Sequence, residues 1–467
     1  MSRQFSSKAA LAEKIASGEL VLDHRQAETY LTFGLGLQAL QRDDAAIKQF
    51  EKAISLEPDY AEAYNHLARS LRTVGQTEEA ISCFGTALSL RPDDVEALFN
   101  LGNTYLRQGR LQEALPCYQK AASLDPDDAF LHLKALSALI DAEVTTPKWD
   151  KWPEYGRWLL TEVYNLRVFS RPRWDGTPLR GKTLLVYAEQ GLGDDLQMVR
   201  YLPQVKAQAQ GRIILECPKP LLPLFRMVGG VDEVVPRHKD LHEPVVPYDV
   251  RIDLMTLPLL FLTEEETIPS DVPYLHADAE RTERWREWLS KDKSFQDKNL
   301  KVGLRWAGSK SLAAHGRSCS LADFAPLAEV RGVSFYSLQT DAAAAQVTAP
   351  PAGLMITDLA EHLTSFDETA AVIANLDLVI SVDTSVLHLA GALARPTWGI
   401  LPWWPAMRWR LKSRATPWYP TMRLFRQKAS GNWQSVFEQV AEELTRTELT
   451  RTEMKLGELK LGELEQV

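Results

Sequence analysis

Two short stretches place chemically useful side chains where apolar runs end. The first is YAEQGLGDDLQMVRYLP, residues 187–203. The run TLLVYA stops there, and Glu189, Gln190, Gly191, Gly193 and Asp194 follow. An apolar helical face of Leu196, Val199 and Leu202 comes next. The second is SVDTSVLHLAGALARPTW, residues 381–398. Here LDLVISV runs into Asp383, Thr384 and Ser385, with His388 about one helical turn later. Ala390, Gly391 and Ala392 then form a small-residue helix stopped by Pro396. A glycine-rich turn lets backbone approach a ligand closely. A helix N-terminus carries roughly half a positive charge and free N–H groups, which suits a diphosphate. Taken singly, each stretch has a plainer reading: Asp194 or Asp383 as an N-cap, and His388 as a structural core residue.

The elements that position these groups are short β-rich runs alternating with helical stretches. TLLVYA (183–188), RIILEC (212–217), DEVVP (232–236) and YDVRIDL (248–254) read as strands, and an amphipathic segment follows near 278–290. After the polar break KDKSFQDK a second set reads KVGLRWAG (301–308), VSFYSLQ (333–339), LMITDL (354–359), LDLVISV (376–382) and TWGILP (397–402). Such alternation predicts parallel sheets covered by helices on both faces. Two sets predict two doubly wound domains, 183–298 and 299–445, with a cleft between them. Ligands in such sheets bind beyond the carboxyl ends of the strands, where both stretches fall. After Trp433 the helix SVFEQVAEEL is expected to cross back and close the unit. The tail, 446–467, repeats in fives (LTRTE, LTRTE, MKLGE, LKLGE). That period fits neither helix nor strand and predicts a solvated extension.

The first third obeys a different rule. FGLGLQALQRDDAAIKQFEKAISLEP, LARSLRTVGQTEEAISCFGTALSLRP and LGNTYLRQGRLQEALPCYQKAASLDP align without gaps at a period of 34. Ala46, Ala80 and Ala114 match, as do Phe50, Phe84 and Tyr118, then Ala53, Ala87 and Ala121, then Pro58, Pro92 and Pro126. Gly34, Ala68 and Gly102 form a small-residue column. The pattern resembles the tetratricopeptide repeat, in which small residues let antiparallel helices approach, a ring fills the gap to the next pair and Pro ends the second helix. An all-α solenoid is predicted over 1–142, capped by helices near 5–17 and 129–142. Its concave groove suits an extended peptide, with Asn65, Arg69, Asn100 and Asn103 as candidate contacts. A spacer or a homo-oligomer contact is the other use of such an array. Residues 143–182 form a connector rich in Pro and Trp, read as packing at a domain seam.

The composition agrees with several domains. The chain has 467 residues, 45% hydrophobic and 25% charged, ordinary values for a globular protein. Its net charge, 53 − 62 = −9, argues against a nucleic-acid partner. Cys83, Cys117, Cys217 and Cys319 form no C-x-x-C pair and read as reduced core residues, not a metal site. No apolar run approaches the ~18 residues of a membrane span, and the N-terminus lacks a signal-peptide core. A cytoplasmic protein is expected.

Together, GLGDDLQMVRYLP and DLVISVDTSVLHLAGALARP resemble the ADP-heptose:lipopolysaccharide heptosyltransferases and their GT-B glycosyltransferase relatives, in particular a bacterial group joined to tetratricopeptide repeats. RWDGTPLRGKTLLVYAEQGLGD, VGLRWAGS and TPWYPTMRLFRQ extend the resemblance over most of 170–445. It implies an inverting, metal-independent transfer from a nucleotide diphosphate sugar, with no cofactor. Asp194 corresponds to the family's base. Asp383 and Thr384 would hold the donor sugar and diphosphate, with a backbone N–H from Ser385 and with His388 completing the pocket. The family's basic side chain in the loop GSKSLAAHGRSCS falls on Arg317 first and Lys310 second, and Arg408 of WWPAMRWR faces the donor. Glu189, Gln190, Gly191 and Gly193 would contact acceptor or sugar. Ala406-Met407 depart from the relatives, which often carry an acid before the Arg-Trp pair. A protein acceptor recruited by the repeats is the first expectation. A lipopolysaccharide or other glycan acceptor is the second, and a non-catalytic repeat scaffold the third. A nicotinamide dehydrogenase is disfavoured by the missing G-x-G-x-x-G.

Overall fold

The structure is a computed structural model that describes residues 26–108, 110–124, 169–237, 245–291, 299–308, 316–403, 407–409, 413–429 and 431–449. The chain divides into two units, Met1–Pro147 and Lys148–Val467. The expected capping helices near 5–17 and 129–142, most of the connector, and the tail beyond residue 449 lie outside the described residues.

The first unit contains three helix pairs: α1 (Ala27–Ala39) with α2 (Asp43–Leu56), α3 (Ala61–Thr73) with α4 (Thr77–Leu90), and α5 (Val95–Arg107) with α6 (Leu111–Leu124). The columns aligned in the sequence are its core. Ala46, Ala80, Ala114, Ala53, Ala87 and Ala121 are wholly buried, as are Phe50 and Phe84, and Tyr118 nearly so. A methyl group on Gly34 would fall 2.3 Å from the Phe50 ring, and one on Gly102 would fall 2.9 Å from that of Tyr118. Each of these rings therefore sits on the small residue of its own repeat, and Phe50 also stacks on His66 of the next, 5.9 Å away. Polar side chains tie successive pairs: Gln38 donates to Ser70 Oγ, which donates to Asp43.

The second unit contains two parallel sheets. Strands β1 (Thr183–Tyr187), β2 (Arg212–Cys217), β3 (Glu233–Pro236) and β4 (Val250–Asp253) form one, in the order β3-β2-β1-β4. Strands β5 (Leu300–Arg305), β6 (Val333–Ser337), β7 (Ile356–Asp358), β8 (Leu378–Val382), β9 (Thr397–Leu401) and β10 (Met422–Arg426) form the other, in the order β10-β9-β8-β5-β6-β7. Read from β7, the second sheet has the 3-2-1-4-5-6 winding of a dinucleotide-binding fold, and the first sheet has its beginning. This is the Rossmann-like pair expected from the sequence, with β10 as an added strand. MRLFR mixes three apolar and two basic residues, and only its apolar positions are well buried.

Short helices α7 (Leu192–Met198), α8 (Leu202–Ala209), α9 (Leu222–Phe225) and α10 (Leu257–Leu260) cover the first sheet. Helix α11 (Ala279–Lys291) packs on α12 (Phe366–Ile373) of the second lobe, where Arg281 bonds Asp367 at 2.9 Å and Trp285 Nε1 donates to Glu368 at 2.7 Å. Helix α13 (Ser385–Ala392) follows β8. Helix α14 (Gln434–Leu449) runs five residues past Leu444, the end of the expected SVFEQVAEEL, into the first residues read as tail. Its buried face (Val436, Phe437, Val440, Leu444) lies in the core beneath β5, β8 and β9, with Phe437 4.0 Å from Phe324. The lobes are joined elsewhere, at Arg200. Its guanidinium donates to Pro269 O and Trp418 O and to Tyr274 Oη, and lies over the rings of Tyr274, Trp418 and Tyr419.

Candidate functional site

In a wound parallel sheet, the loops diverge where the strand order reverses, and that crevice receives ligands. In the second sheet the reversal falls between β5 and β8. Arg305 ends β5, and Asp383 follows β8 directly. In the first sheet it falls between β1 and β4, and the turn after β1 leads into α7. Helices α7 and α13 then meet. A methyl group on Gly193 would lie 2.9 Å from His388 Cδ2 and 3.6 Å from Ser385 Cα. Only glycine lets the two helices approach this closely.

Neither acid is a helix cap. The N-cap of α7 is Gly191, and that of α13 is Thr384. The Thr384 hydroxyl bonds the Ser381 hydroxyl at 3.1 Å and does not cap its helix. The first amides of α13, at Ser385 and Val386, have no acceptor within their own helix.

Asp383 is buried, which opposes its charge. Yet the His388 ring, Arg408 and Arg317 hold its carboxyl far below the ordinary range. Arg317 Nη1 lies 3.6 Å from Asp383, and His388 Nε2 lies 3.7 Å from it. Burial depresses the His388 pKa, so the imidazole is neutral near pH 7. An ionised Asp383 only accepts, so the ring proton belongs on Nε2, and Nδ1 accepts from the Tyr419 hydroxyl at 2.8 Å.

Asp194 sits in the first turn of α7, and its side chain keeps 24% exposure. Burial opposes its charge too, but Arg408 overcomes this and lowers its pKa. One Arg408 amino group donates to Asp194 at 2.6 Å and the other to Gln197 at 2.6 Å. The adjacent Asp195 differs sharply. Burial, and then the charge of Asp194, push its carboxyl well up. Glu189 is raised as well, by burial and by Asp253 and Asp195. Neighbouring carboxyls with pKa values pushed apart are a mark of acid–base sites.

These groups enclose a cavity of about 220 Å³, lined by Gly191, Gly193, Asp194, Asp383, Thr384, Ser385, His388, Arg317 and Arg408 among others. Nine of the site residues read from the sequence thus converge. Glu189 and Gln190 are not on its wall. The Glu189 carboxylate instead accepts from Met255 N–H, behind the turn. Lys310 lies outside the described residues. Arg305, Gly308 and Ser318 line the cavity without having been singled out. The signal for Arg305 was present, since a cation closing the apolar run KVGL has the same form as Asp383 closing LVISV. Arg305 is pinned by bonds to Leu338 O at 2.8 Å and Ala307 O at 3.1 Å, and by Asp341 at 3.3 Å. Among the described residues, no group of three or more His, Cys, Asp or Glu side chains is placed to hold a metal ion. Among the described residues, no helix is long and apolar enough to cross a membrane.

In the first unit, Asn65 and Asn100 are buried, and the Asn100 amide lies 3.5 Å from Asn65 Oδ1. Arg69 pairs with Glu96 at 3.1 Å, and Asn103 accepts from Tyr118 Oη at 2.9 Å. All four proposed groove residues therefore have partners within the repeats. Arg69 and Asn103 remain partly exposed.

Comparison with known proteins agrees with this division. Tetratricopeptide repeat models match residues 27–60, 49–82 and 67–129. The glycosyltransferase family 9 (heptosyltransferase) model matches residues 324–426, a span that includes Asp383, Thr384, Ser385, His388 and Arg408 but not Asp194. The chain is 28% identical over 295 residues to protein FlbA of Caulobacter vibrioides, across 58% of this chain and 48% of that one. It therefore spans about half the length of this curated relative. Among solved structures, it is similar to ADP-heptose lps heptosyltransferase II of E. coli, with 15% identity, TM-score 0.41, and 58% of this chain and 99% of that one covered. It is also similar to the family 9 glycosyl transferase of Veillonella parvula, with 13% identity, TM-score 0.44, and 60% and 100% covered. The chain thus carries tetratricopeptide repeats followed by a glycosyltransferase family 9 domain.

Proposed function

We propose that the protein is an inverting glycosyltransferase that moves a sugar from a nucleoside diphosphate sugar to a hydroxyl-bearing acceptor, without a metal. The observation that carries this reading is the convergence of Asp194, the N-terminus of α13 and three arginines (Arg305, Arg317, Arg408) on one cavity. The donor diphosphate lies at the α13 amides of Ser385 and Val386, with Thr384 beside it. Asp383 and the neutral His388 fix the donor end of the pocket. Asp194, on the opposite wall, takes the proton of the acceptor hydroxyl. That oxygen bonds to the anomeric carbon as the carbon–oxygen bond to the diphosphate breaks, and the sugar inverts. The arginines and helix amides take up the charge growing on the leaving diphosphate, a role that oriented donors fill in a water-poor cleft. Asp194 then gives its proton to solvent.

The acceptor in this reading is a protein held by the repeats, since arrays of this kind present extended surfaces for peptides. Of the four candidate groove residues, Arg69 and Asn103 are the accessible ones. A second reading, favoured by the heptosyltransferase description of the matched family, has a lipopolysaccharide or another glycan as acceptor. Deleting residues 1–147 separates the two. Retained donor hydrolysis with lost transfer to protein supports recruitment by the repeats. Undiminished transfer to a glycan supports the second reading. A wild-type protein that neither binds nor turns over any nucleoside diphosphate sugar is a scaffold, and the enzymatic reading is then wrong.

A further inference from the structure

Asp194 has a counter-ion that hinders its proposed task. A carboxylate bonded to a guanidinium at 2.6 Å stays ionised, but the same contact weakens it as a proton acceptor. The guanidinium is anchored in the second lobe, on a 3-10 turn (Met407–Trp409) whose Trp409 is wholly buried. Both of its bonded carboxyl and amide partners, Asp194 and Gln197, belong to α7 of the first lobe. It also forms part of the cavity wall with Arg305 and Arg317.

We propose that Arg408 changes partner during the reaction: the donor diphosphate draws its guanidinium from Asp194, and the carboxylate becomes an effective base only once the donor is in place. This rests on the donor reading given above. Guanidinium binds phosphate through paired charge-assisted hydrogen bonds, and a diphosphate carries more charge than one carboxylate. The groups facing Asp194 fix the direction of the effect. From the second lobe these are Arg408, Asp383 and His388, and from its own helix Asp195. Burial keeps His388 neutral, and burial together with Asp194 shifts Asp195 toward its protonated form. With Arg408 engaged by the donor, Asp194 loses its bonded cation, while Asp383 still opposes its charge and the diphosphate adds negative charge to the cavity. Its affinity for a proton then rises. Asp383 is unaffected in kind, because Arg317 and His388 remain beside it. The exchange breaks no covalent bond. It moves one cation from base to leaving group, so the charge that restrains the base before donor binding stabilises the diphosphate afterwards.

The test is proton uptake on binding ADP, UDP or GDP, measured by titration calorimetry on the full chain in buffers of different ionisation enthalpy. Wild type is compared with Asp194→Asn, so that proton linkage of the nucleotide phosphate cancels. At about pH 5, wild type is expected to take up an extra fraction of a proton, up to about one, and the excess is expected to vanish by about pH 8. Arg408→Gln, whose Asp194 lacks its counter-ion from the start, is expected to lose the excess while still binding nucleotide more weakly. Equal uptake by wild type and Asp194→Asn at every pH, with nucleotide bound, overturns this inference alone, as does a full excess in Arg408→Gln. Failure of every nucleoside diphosphate to bind wild type overturns the donor reading and this inference with it.

Discussion

Gly193 and His388 meet with no room for a side chain between them: a methyl group on the glycine would stand 2.9 Å from the histidine Cδ2. One residue belongs to the helix that carries Asp194 and the other to the helix that faces the donor site. The histidine has nowhere to retreat, because it is held by Tyr419 and lies 5.3 Å from the ring of Trp409. Gly193→Ala is therefore expected to cost about 1–3 kcal/mol, the usual range for overpacking a tight core. It is also expected to reduce transfer by separating base from donor. The midpoint of urea unfolding and the kcat for transfer check this. An unchanged midpoint would mean that the helices part freely.

Arg317 lines the cavity, and among the described residues its ion pair is with Asp383 on the same wall. Arg317→Ala is expected to weaken nucleoside diphosphate binding by about 10–100-fold, the equivalent of one charge-assisted hydrogen bond of about 1.5–3 kcal/mol. The melting temperature without nucleotide is expected to change little. Calorimetric titration against wild type reads the first effect, and a thermal melt the second.

Two adjacent acids should respond oppositely to pH. The folded-state pKa of Asp195 is raised, so its contribution is fully present below the unfolded carboxyl value of about 4 and is lost as pH rises through the folded value. Asp195→Asn is expected to gain stability relative to wild type as pH increases above about 4. Asp194 is depressed, so its contribution is present above about 4 and is lost as pH falls through the folded value. Asp194→Asn is expected to match wild type more closely in acid. Denaturant midpoints for both variants across that range show whether the two trends diverge.

In the repeats, the small-residue column is expected to lose stability on substitution in either direction. Gly34→Ala drives a methyl group into the Phe50 ring and is expected to destabilise the array by about 1–3 kcal/mol. It does so even though alanine is the better helix former. Ala68→Gly, at the matching position, is expected to cost about 1 kcal/mol through helix propensity. Circular dichroism melts separate packing from propensity, because propensity alone would make the first change stabilising.

The chain announced its architecture where a pattern recurs. The 34-residue period exposed the three helix pairs, since the buried rings Phe50, Phe84 and Tyr118 and the buried Ala46, Ala80, Ala114, Ala53, Ala87 and Ala121 fall in matched columns. Strands buried on both faces, such as LVISV, were legible as continuous apolar runs. MRLFR was not, because its two arginines interrupt the run while its apolar positions alone reach the core. Arg305 left a weaker signal for a related reason: one cation at a strand end looks like solvated punctuation until the segment after β6 supplies Leu338 O and the Thr340 hydroxyl as its acceptors. Nor does spacing along the chain show that Arg408 and Asp194, 214 residues apart, form one ion pair. Only the docking of α7 on α13 brings them together.

The central claim is that Asp194 acts as base on a sugar whose diphosphate lies at the tip of α13. The most direct measurement is release of nucleoside diphosphate from ADP-, UDP- and GDP-sugars by the full chain, beside Asp194→Asn, with a CMP-sugar as a donor lacking the diphosphate. The expected result is release from one diphosphate donor and none from the CMP-sugar. Release should be at least ~100-fold slower in Asp194→Asn, with donor affinity retained. Equal rates in variant and wild type, or no binding of any diphosphate donor, would contradict it.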